Sequence, residues 1–344
     1  MPKSGNTIFS IQILRFVAAF AVAIFHSHGT ILFSLGMAQN DGPWHVGASG
    51  VHIFFIISGF VMVITSRHGK DSMPATTFLW RRFLRIYPTY WLVASAYLVL
   101  HLVIWRRNPL TLMEYAASFA LYSEYASSII GQGWTLAYEV YFYLCFALSL
   151  LFRRGIVLLT AFFVFSVGAA PVIGWAAHIA TNSILIEFVA GCWLGCFYLR
   201  RPSMLGRLGL PSLILGIVLL FSTIILPREL PSGITMGLPS MLIVAGAVSM
   251  ENWLQGRTAR YIAQLGESSY FLYLSHVLLL EVFVLTISNN GASIAVLSLL
   301  FAIACLIVAH VGHFLVEAPM LRALARHSLR SAATVNQFKP SQTP

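Results

Sequence analysis

Long stretches of the chain carry no charged residue, and this feature restricts its fold more than any other. Residues 155–177 and 291–309 contain no Asp, Glu, Lys or Arg, and each exceeds the roughly 18 residues that mark a membrane-spanning helix. Charged residues make up only 9% of the 344-residue sequence, and apolar residues make up 58%. A soluble domain has about 25% charged residues to cover its surface. The sequence therefore predicts an all-α membrane protein.

Apolar segments alternate along the chain with short breaks that contain Gly, Pro, Asn or paired Arg. We predict a bundle of about ten transmembrane helices at residues 1–320, followed by a polar cytoplasmic tail at 321–344. Residues 110–130 carry Glu114 and Glu124 and are predicted to form an interfacial or partly buried helix on the outer side. The predicted spans are 8–28, 46–66, 86–105, 132–152, 155–176, 182–200, 208–226, 233–250, 262–287 and 293–317.

The positive charge of the chain follows the predicted membrane topology. The net charge is +10, but the basic residues form short clusters between apolar runs. Cytoplasmic loops of membrane proteins are enriched in Lys and Arg. If both termini are cytoplasmic, the outer segments hold only Arg106, Arg107 and Arg228. We therefore predict cytoplasmic termini, the lipid bilayer as a partner and no binding to nucleic acid.

Arg15 and His26 both lie in the first predicted span, where ionisable residues are unfavourable and often functional. They are eleven positions apart, which places them on nearly the same helix face and about 16 Å apart along the axis. A His acts as a general base near neutral pH, and an Arg binds phosphate through a forked contact. The alternative for His26 is a packed side chain that only forms hydrogen bonds.

Arg81, Arg82 and Arg85 lie at the predicted cytoplasmic entry of the third span. On a helix, Arg85 shares a face with each of the other two. One interpretation is an anchor for lipid headgroups that also sets the topology. The other is a clamp for a cytosolic polyphosphate.

Several further ionisable residues are predicted at similar depth in the outer half of the bundle. Glu139, His52, Glu187 and His26 either converge on one site or are satisfied separately. His276 is a candidate for lining the same cavity. The four cysteines lie inside apolar runs and are interpreted as packing residues, so no metal site is predicted.

Taken together, these segments resemble the acyltransferase-3 family of integral membrane O-acyltransferases, and most closely its bacterial exopolysaccharide-production branch. The matching segments occur in order over residues 8–320, so that they cover nearly the whole chain. They are Arg15 with His26, residues 50–60 (GVHIFFIISGF), 81–88 (RRFLRIYP), 133–143 (GWTLAYEVYFY), Glu187–Phe188 with Gly191, 265–270 (LGESSY) and 316–319 (VEAP).

The resemblance implies transfer of an acyl group from cytosolic acyl-CoA, most simply acetyl-CoA, to a polysaccharide or a lipid-linked glycan at the bacterial inner membrane. His26 is then expected to be the general base, with Glu139 setting its tautomer. Family members usually carry Asp at the position of His52, so His52 cannot act there as a carboxylate. Arg81, Arg82 and Arg85 are expected to bind the CoA phosphates, with Arg15 deeper in the bundle as a further catalytic residue. His52, Ser58, Glu187 and His276 are expected to bind the substrates. Ser58–Gly59 is expected to permit close backbone approach.

Three other functions fit the residues. A transporter or flippase of lipid-linked sugars would also have many spans and buried charges. An assembly subunit of a polysaccharide export machine would tolerate loss of His26. An acyltransferase acting on lipid or peptide would share the predicted chemistry but not the acceptor.

Overall fold

The computed structural model describes residues 8–37, 42–66, 73–105, 110–174, 179–225, 230–254, 256–284, 293–324 and 326. All regular secondary structure in these ranges is helical. The α-helices are α1 (Phe9–Ser34), α2 (Ser49–Ser66), α3 (Ala75–Leu100), α4 (Leu112–Phe119), α5 (Gly133–Ser149), α6 (Gly155–Ile173), α7 (Ile184–Arg200), α8 (Pro202–Ser222), α9 (Leu238–Ser249), α10 (Arg257–Glu267), α11 (Ser269–Val284) and α12 (Ile294–Gly312).

Where its residues are described, every predicted span overlaps helical structure, which confirms the all-α fold. Within the described ranges, 5 helical segments are long and apolar enough to cross a membrane, and a sixth is obtained if α10 and α11, bent by 55°, form one broken span. The count of ten spans and the cytoplasmic termini stay predictions, and residues 1–7 and 327–344 lie outside the described residues. The 5 segments are Phe9–Ser34, Gly42–Ser66, Ala75–Val103, Pro202–Ser222 and Ile294–Leu324.

Apolar side chains cover the outer faces of the peripheral helices. Phe165 of α6 is 74% exposed, and Phe221 of α8 and Ile307 of α12 are also exposed. Soluble monomers rarely expose large contiguous apolar patches. In a bilayer such a surface is stable, because lipid tails surround it and the helices satisfy their own backbone groups.

Helix α1 lies inside the bundle, where it packs against α2, α10, α11 and α12. The start of α1 has no side-chain cap from its own sequence. Instead, the carboxylate of Glu251 accepts hydrogen bonds from the backbone N–H groups of Phe9 and Ser10, each at 2.8 Å. An anion at a helix N-terminus also interacts favourably with the helix dipole. Glu251 therefore fixes the start of the helix that carries Arg15 and His26.

Helices α2 and α7 pack with their backbones in contact through two glycines. A Cβ atom on Gly59 would lie 1.9 Å from the carbonyl oxygen of Phe188, and one on Gly191 would lie 2.1 Å from that of Ile56. Small residues permit such close helix packing in membranes. The expected close approach at Gly59 is thus made by α7.

Helix α3 begins eleven residues before the predicted start of the third span, at Ala75. Arg81, Arg82 and Arg85 therefore lie within α3, and their place at the cytoplasmic entry of the span stays a prediction. Farther along α3, Tyr87, Tyr90 and Trp91 donate hydrogen bonds to backbone carbonyls of residues 118–120, at the end of α4.

The 110–130 segment does not cross the bundle. Helix α4 has 8 residues, far fewer than the roughly 17–25 that a span needs, and turns follow it to residue 132. Leu112 is exposed, whereas Ser118 and Ala126 are buried. These findings fit a short, partly buried helix; its side of the membrane stays a prediction.

Candidate active site

A cavity of about 190 Å³ lies where α1, α2, α3, α5 and α11 meet. Its walls combine apolar side chains with polar ones. The polar lining residues are Gln12, Arg15, Ser58, Arg82, Arg85, Thr135, Glu139, Tyr143, Tyr270 and Tyr273.

Three guanidinium groups reach this cavity from two helices. Arg82 lies over the rings of Phe78 and Tyr143, at 5.3 and 5.6 Å from their centroids, and Arg85 lies over Tyr270 at 5.1 Å. Arg15 of α1 is the third. Aromatic faces attract cations, so the tyrosines stabilise the two α3 guanidiniums without neutralising them.

No carboxylate within the described ranges forms an ion pair with any of the three guanidiniums, because the ion pairs there join His to Glu. The Nε of Arg82 is buried and has no hydrogen-bond partner, although its Nη2 donates to Thr65 at 3.0 Å. Guanidinium groups bind phosphates through several parallel hydrogen bonds. The cavity therefore offers a site for a polyanion. Arg81 is exposed and does not line the cavity.

Glu139 is the acidic residue of the cavity lining. Its Oε1 accepts a hydrogen bond from Ser58 at 2.9 Å and another from the hydroxyl of Tyr143. Since the ring of Tyr143 also lies against the guanidinium of Arg82, Glu139 fixes one of the aromatic rings on which that guanidinium packs. With one acid and three guanidiniums, the cavity carries net positive charge.

His26 pairs with His276 and not with Glu139. The Nδ1 of His26 lies 2.8 Å from the Nε2 of His276, and the rings stack with centroids 5.0 Å apart. The expectation that Glu139 sets the tautomer of His26 is therefore not met by this geometry. The cause is helical position: Glu139 points across α5 to Ser58 of α2, whereas α11 presents His276 to α1.

Tyr273 lies between the cavity and the histidine pair. It lines the cavity, its ring centroid is 6.0 Å from that of His276, and its hydroxyl is 2.8 Å from that of Thr135. Neither histidine belongs to the cavity lining. The cavity that the arginines line thus ends at Tyr273, next to the ring of His276.

His52 and Glu187 form a separate buried pair between α2 and α7. The Nδ1 of His52 lies 2.7 Å from Oε1 of Glu187, and Oε2 of Glu187 is buried without a partner. The four groups predicted at one depth therefore divide among three places: His26 with His276, His52 with Glu187, and Glu139 with Ser58.

The sequence reading did not single out the tyrosines of the cavity. Tyr143 follows Glu139 by four residues, and Tyr270 and Tyr273 are three apart, so each pair shares a helix face. On a helix, the four-residue spacing alone predicts that Tyr143 lies beside Glu139. Among the described residues, no group of three or more His, Cys, Asp or Glu is placed to hold a metal ion.

Comparison with known proteins places this arrangement in a family. The exopolysaccharide production protein ExoZ of Rhizobium meliloti (strain 1021) is 31% identical over 251 residues, which cover 69% of this chain and 78% of ExoZ. No solved structure matches the chain. A family model described as an acyltransferase domain matches residues 8–316, a range that includes the whole cavity and both histidines. The chain therefore belongs to the acyltransferase-3 family and is an acyltransferase enzyme.

Proposed function

We propose that the protein is an O-acyltransferase of the bacterial inner membrane that moves an acyl group, most simply acetyl, from cytosolic acyl-CoA to a sugar hydroxyl. The acceptor is a cell-surface polysaccharide or exopolysaccharide, or its lipid-linked precursor. One observation carries the proposal: a cavity with three guanidiniums that lack carboxylate partners ends beside the imidazole pair of His26 and His276, of which His276 is buried.

The donor fits the arginine end of the cavity. Coenzyme A carries a pyrophosphate and a 3′-phosphate on a compact nucleotide, and a long, thin pantetheine arm bears the thioester. Arg82 and Arg85 would bind the phosphates, with Arg15 deeper in the bundle, and the arm would extend toward Tyr273. Arg81 has no part in this version of the site, because its side chain lies outside the cavity.

The acyl transfer is a direct displacement. His26 accepts the proton of the sugar hydroxyl while the oxygen attacks the thioester carbonyl carbon, forming the new C–O bond. The C–S bond breaks, and His26 returns the proton to the departing sulfur. The products are the O-acyl sugar and free coenzyme A. General base catalysis of this kind contributes about 10²–10⁴-fold to a rate.

The other polar residues support the two ends of the path. Glu139 orients Tyr143 and Ser58 in the wall of the cavity and balances part of the positive charge of the three arginines. Tyr273 must move aside for the thioester to reach His26, which keeps the thioester from water until the acceptor is present. His52 and Glu187 stabilise the contact between α2 and α7 and lie outside the reaction path.

The acceptor class rests on the relative ExoZ, whose name refers to exopolysaccharide production. Lipid and peptide hydroxyls would undergo the same chemistry, so the acceptor needs its own test.

The experiment uses purified protein in proteoliposomes, acetyl-CoA, and de-O-acetylated surface polysaccharide prepared by mild alkali from the host cells. We expect thiol release that requires the polysaccharide, together with a new O-acetyl signal in its NMR spectrum. A transporter, flippase or assembly subunit would release no thiol under any of these conditions. Thiol release with a lipid or peptide acceptor but not with polysaccharide would overturn the carbohydrate assignment.

A further inference from the structure

We infer that His276 is a positioning residue that fixes the tautomer of His26 and leaves the Nε2 of His26 free to accept a proton. This inference rests on the proposed function, because it concerns the same base. It is carried by a chain of two hydrogen bonds that starts at a backbone carbonyl and ends at the reacting imidazole.

The first link is within α11. The Nδ1 of His276 lies 3.1 Å from the carbonyl oxygen of Leu272, one turn earlier. A carbonyl oxygen only accepts hydrogen bonds, so Nδ1 of His276 carries the proton. In a neutral imidazole the other nitrogen is then an acceptor. The Nε2 of His276 therefore presents a lone pair.

The second link joins α11 to α1. The Nδ1 of His26 is 2.8 Å from Nε2 of His276, and since Nε2 is the acceptor, Nδ1 of His26 is the donor. A neutral His26 with its proton on Nδ1 has a lone pair on Nε2. That nitrogen is the one left to remove a proton from a hydroxyl.

Burial of His276 keeps water from competing for the hydrogen bond between the two imidazoles. The side chain of His276 is fully buried at 0% exposure, and its backbone carbonyl receives a contact from Cys305 at 3.8 Å. Neutral imidazole in water favours the tautomer with the proton on Nε2, which cannot act as the base at that atom. The acceptor on His276 reverses this preference for His26.

The arrangement performs the task of the carboxylate in a catalytic triad with neutral groups. A triad carboxylate holds its His in the working tautomer, and loss of that function costs about 10⁴-fold in kcat. Here the carbonyl of Leu272 orients His276, and His276 orients His26. When His26 is protonated during the reaction, its Nδ1–H bond to His276 becomes a stronger charge-assisted bond.

The test compares His276→Phe, which removes the acceptor, with His276→Gln, whose amide oxygen can replace it. His28→Gln is the matched control, because His28 lies on the same helix as His26 but packs on Trp44. Nitrogen NMR of ¹⁵N-histidine-labelled protein reads the tautomer of His26 directly, with the signal assigned by its loss in His26→Gln. This measurement does not depend on activity.

We expect His26 to carry its proton on Nδ1 in the wild type, in His276→Gln and in His28→Gln, and on Nε2 in His276→Phe. In the polysaccharide assay, kcat should fall about 100-fold or more in His276→Phe, with KM for acetyl-CoA unchanged and partial recovery in His276→Gln. A proton on Nε2 of His26 in the wild type would overturn the inference, as would an unchanged tautomer in His276→Phe. If the wild type shows the expected tautomer but no acyl transfer, the proposed function fails and the positioning contact stands.

Discussion

The Nδ1 of His52 lies 2.7 Å from Oε1 of Glu187, and both side chains are buried between α2 and α7. Removing one member of a buried hydrogen-bonded pair leaves the other unsatisfied, which costs about 1–3 kcal/mol. We therefore expect His52→Ala to lower the free energy of unfolding by this amount in detergent. Replacing both residues together by Leu should restore most of the stability, because no polar group is then left unpaired.

The same pair tests why position 52 carries His and not the Asp that the family resemblance predicts. His52→Asp would set two carboxylates against each other in a buried site and should destabilise the protein. The double change His52→Asp with Glu187→His restores one acid and one imidazole, and should recover stability in thermal unfolding measurements. If His52→Asp alone is as stable as the wild type, the contact with Glu187 does not determine which side chains position 52 tolerates.

Gly191 offers a second test of the α2–α7 contact. A Cβ at this position would lie 2.1 Å from the carbonyl oxygen of Ile56, so Gly191→Ala must separate two helices. Gly168→Ala is the matched control, since no atom lies within 4 Å of the added Cβ. We expect Gly191→Ala to lower the thermal unfolding temperature and Gly168→Ala to leave it unchanged or raise it. Equal effects of the two changes would contradict the close packing.

The sequence allowed the helices to be predicted because membrane spans are defined by local hydropathy and length. It also allowed Arg15 and His26 to be placed on one face, since both belong to α1. Depth in the bilayer follows from position along a span, and this correctly placed His52 near the level of Glu187. Rotation of each helix about its axis does not follow from depth. It depends on packing between segments that are far apart in sequence.

The partner of His26 shows this limit. His276 is 250 residues away, and only the packing of α1 against α11 brings the two rings together. Depth alone makes Glu139 an equally good partner for His26, but the rotation of α5 directs it toward Ser58. Hydropathy likewise does not mark where α3 begins: it is low around Arg81, yet the helix extends back to Ala75.

The arginines of α3 provide a comparison between adjacent residues. Arg82 and Arg85 line the cavity, whereas Arg81 is exposed outside it. Hydrogen bonds to charged groups contribute about 1.5–3 kcal/mol, and about 1.4 kcal/mol corresponds to a tenfold change in affinity. We expect Arg82→Glu and Arg85→Glu to raise KM for acetyl-CoA at least about tenfold. Arg81→Glu should leave KM nearly unchanged.

These measurements also separate the two interpretations of the arginine cluster. A headgroup anchor would make all three charge reversals alike, with effects on insertion or topology and no change in donor saturation. Donor titrations on membranes with matched protein levels distinguish these outcomes.

Ser58 tests whether the acyl group passes through a covalent intermediate. Its Oγ is 2.9 Å from Oε1 of Glu139, so a base does lie beside it, which the sequence did not indicate. In direct transfer to the sugar, Ser58→Ala removes one hydrogen bond from Glu139 and should lower kcat only a few-fold, about 1 kcal/mol in the activation free energy. Mass spectrometry of protein incubated with acetyl-CoA alone should find Ser58 unmodified. Accumulation of acetylated Ser58, with loss of activity in the Ala variant, would contradict direct transfer. It would show that Ser58 attacks the thioester first and that the acyl group passes through a covalent intermediate.

His26→Ala is the change with the largest expected effect on catalysis. It removes the base while leaving the arginines and the cavity in place, so acyl transfer should fall about 10²–10⁴-fold and binding of acetyl-CoA should persist. His28→Ala, two residues farther along α1, controls for loss of an imidazole from the same helix. O-acetyl signals in NMR spectra of surface polysaccharide from cells carrying each variant, at equal protein levels, provide the measurement. Wild-type acetylation in cells with His26→Ala would show that another group removes the proton of the reacting hydroxyl, because the methyl side chain of Ala cannot accept it.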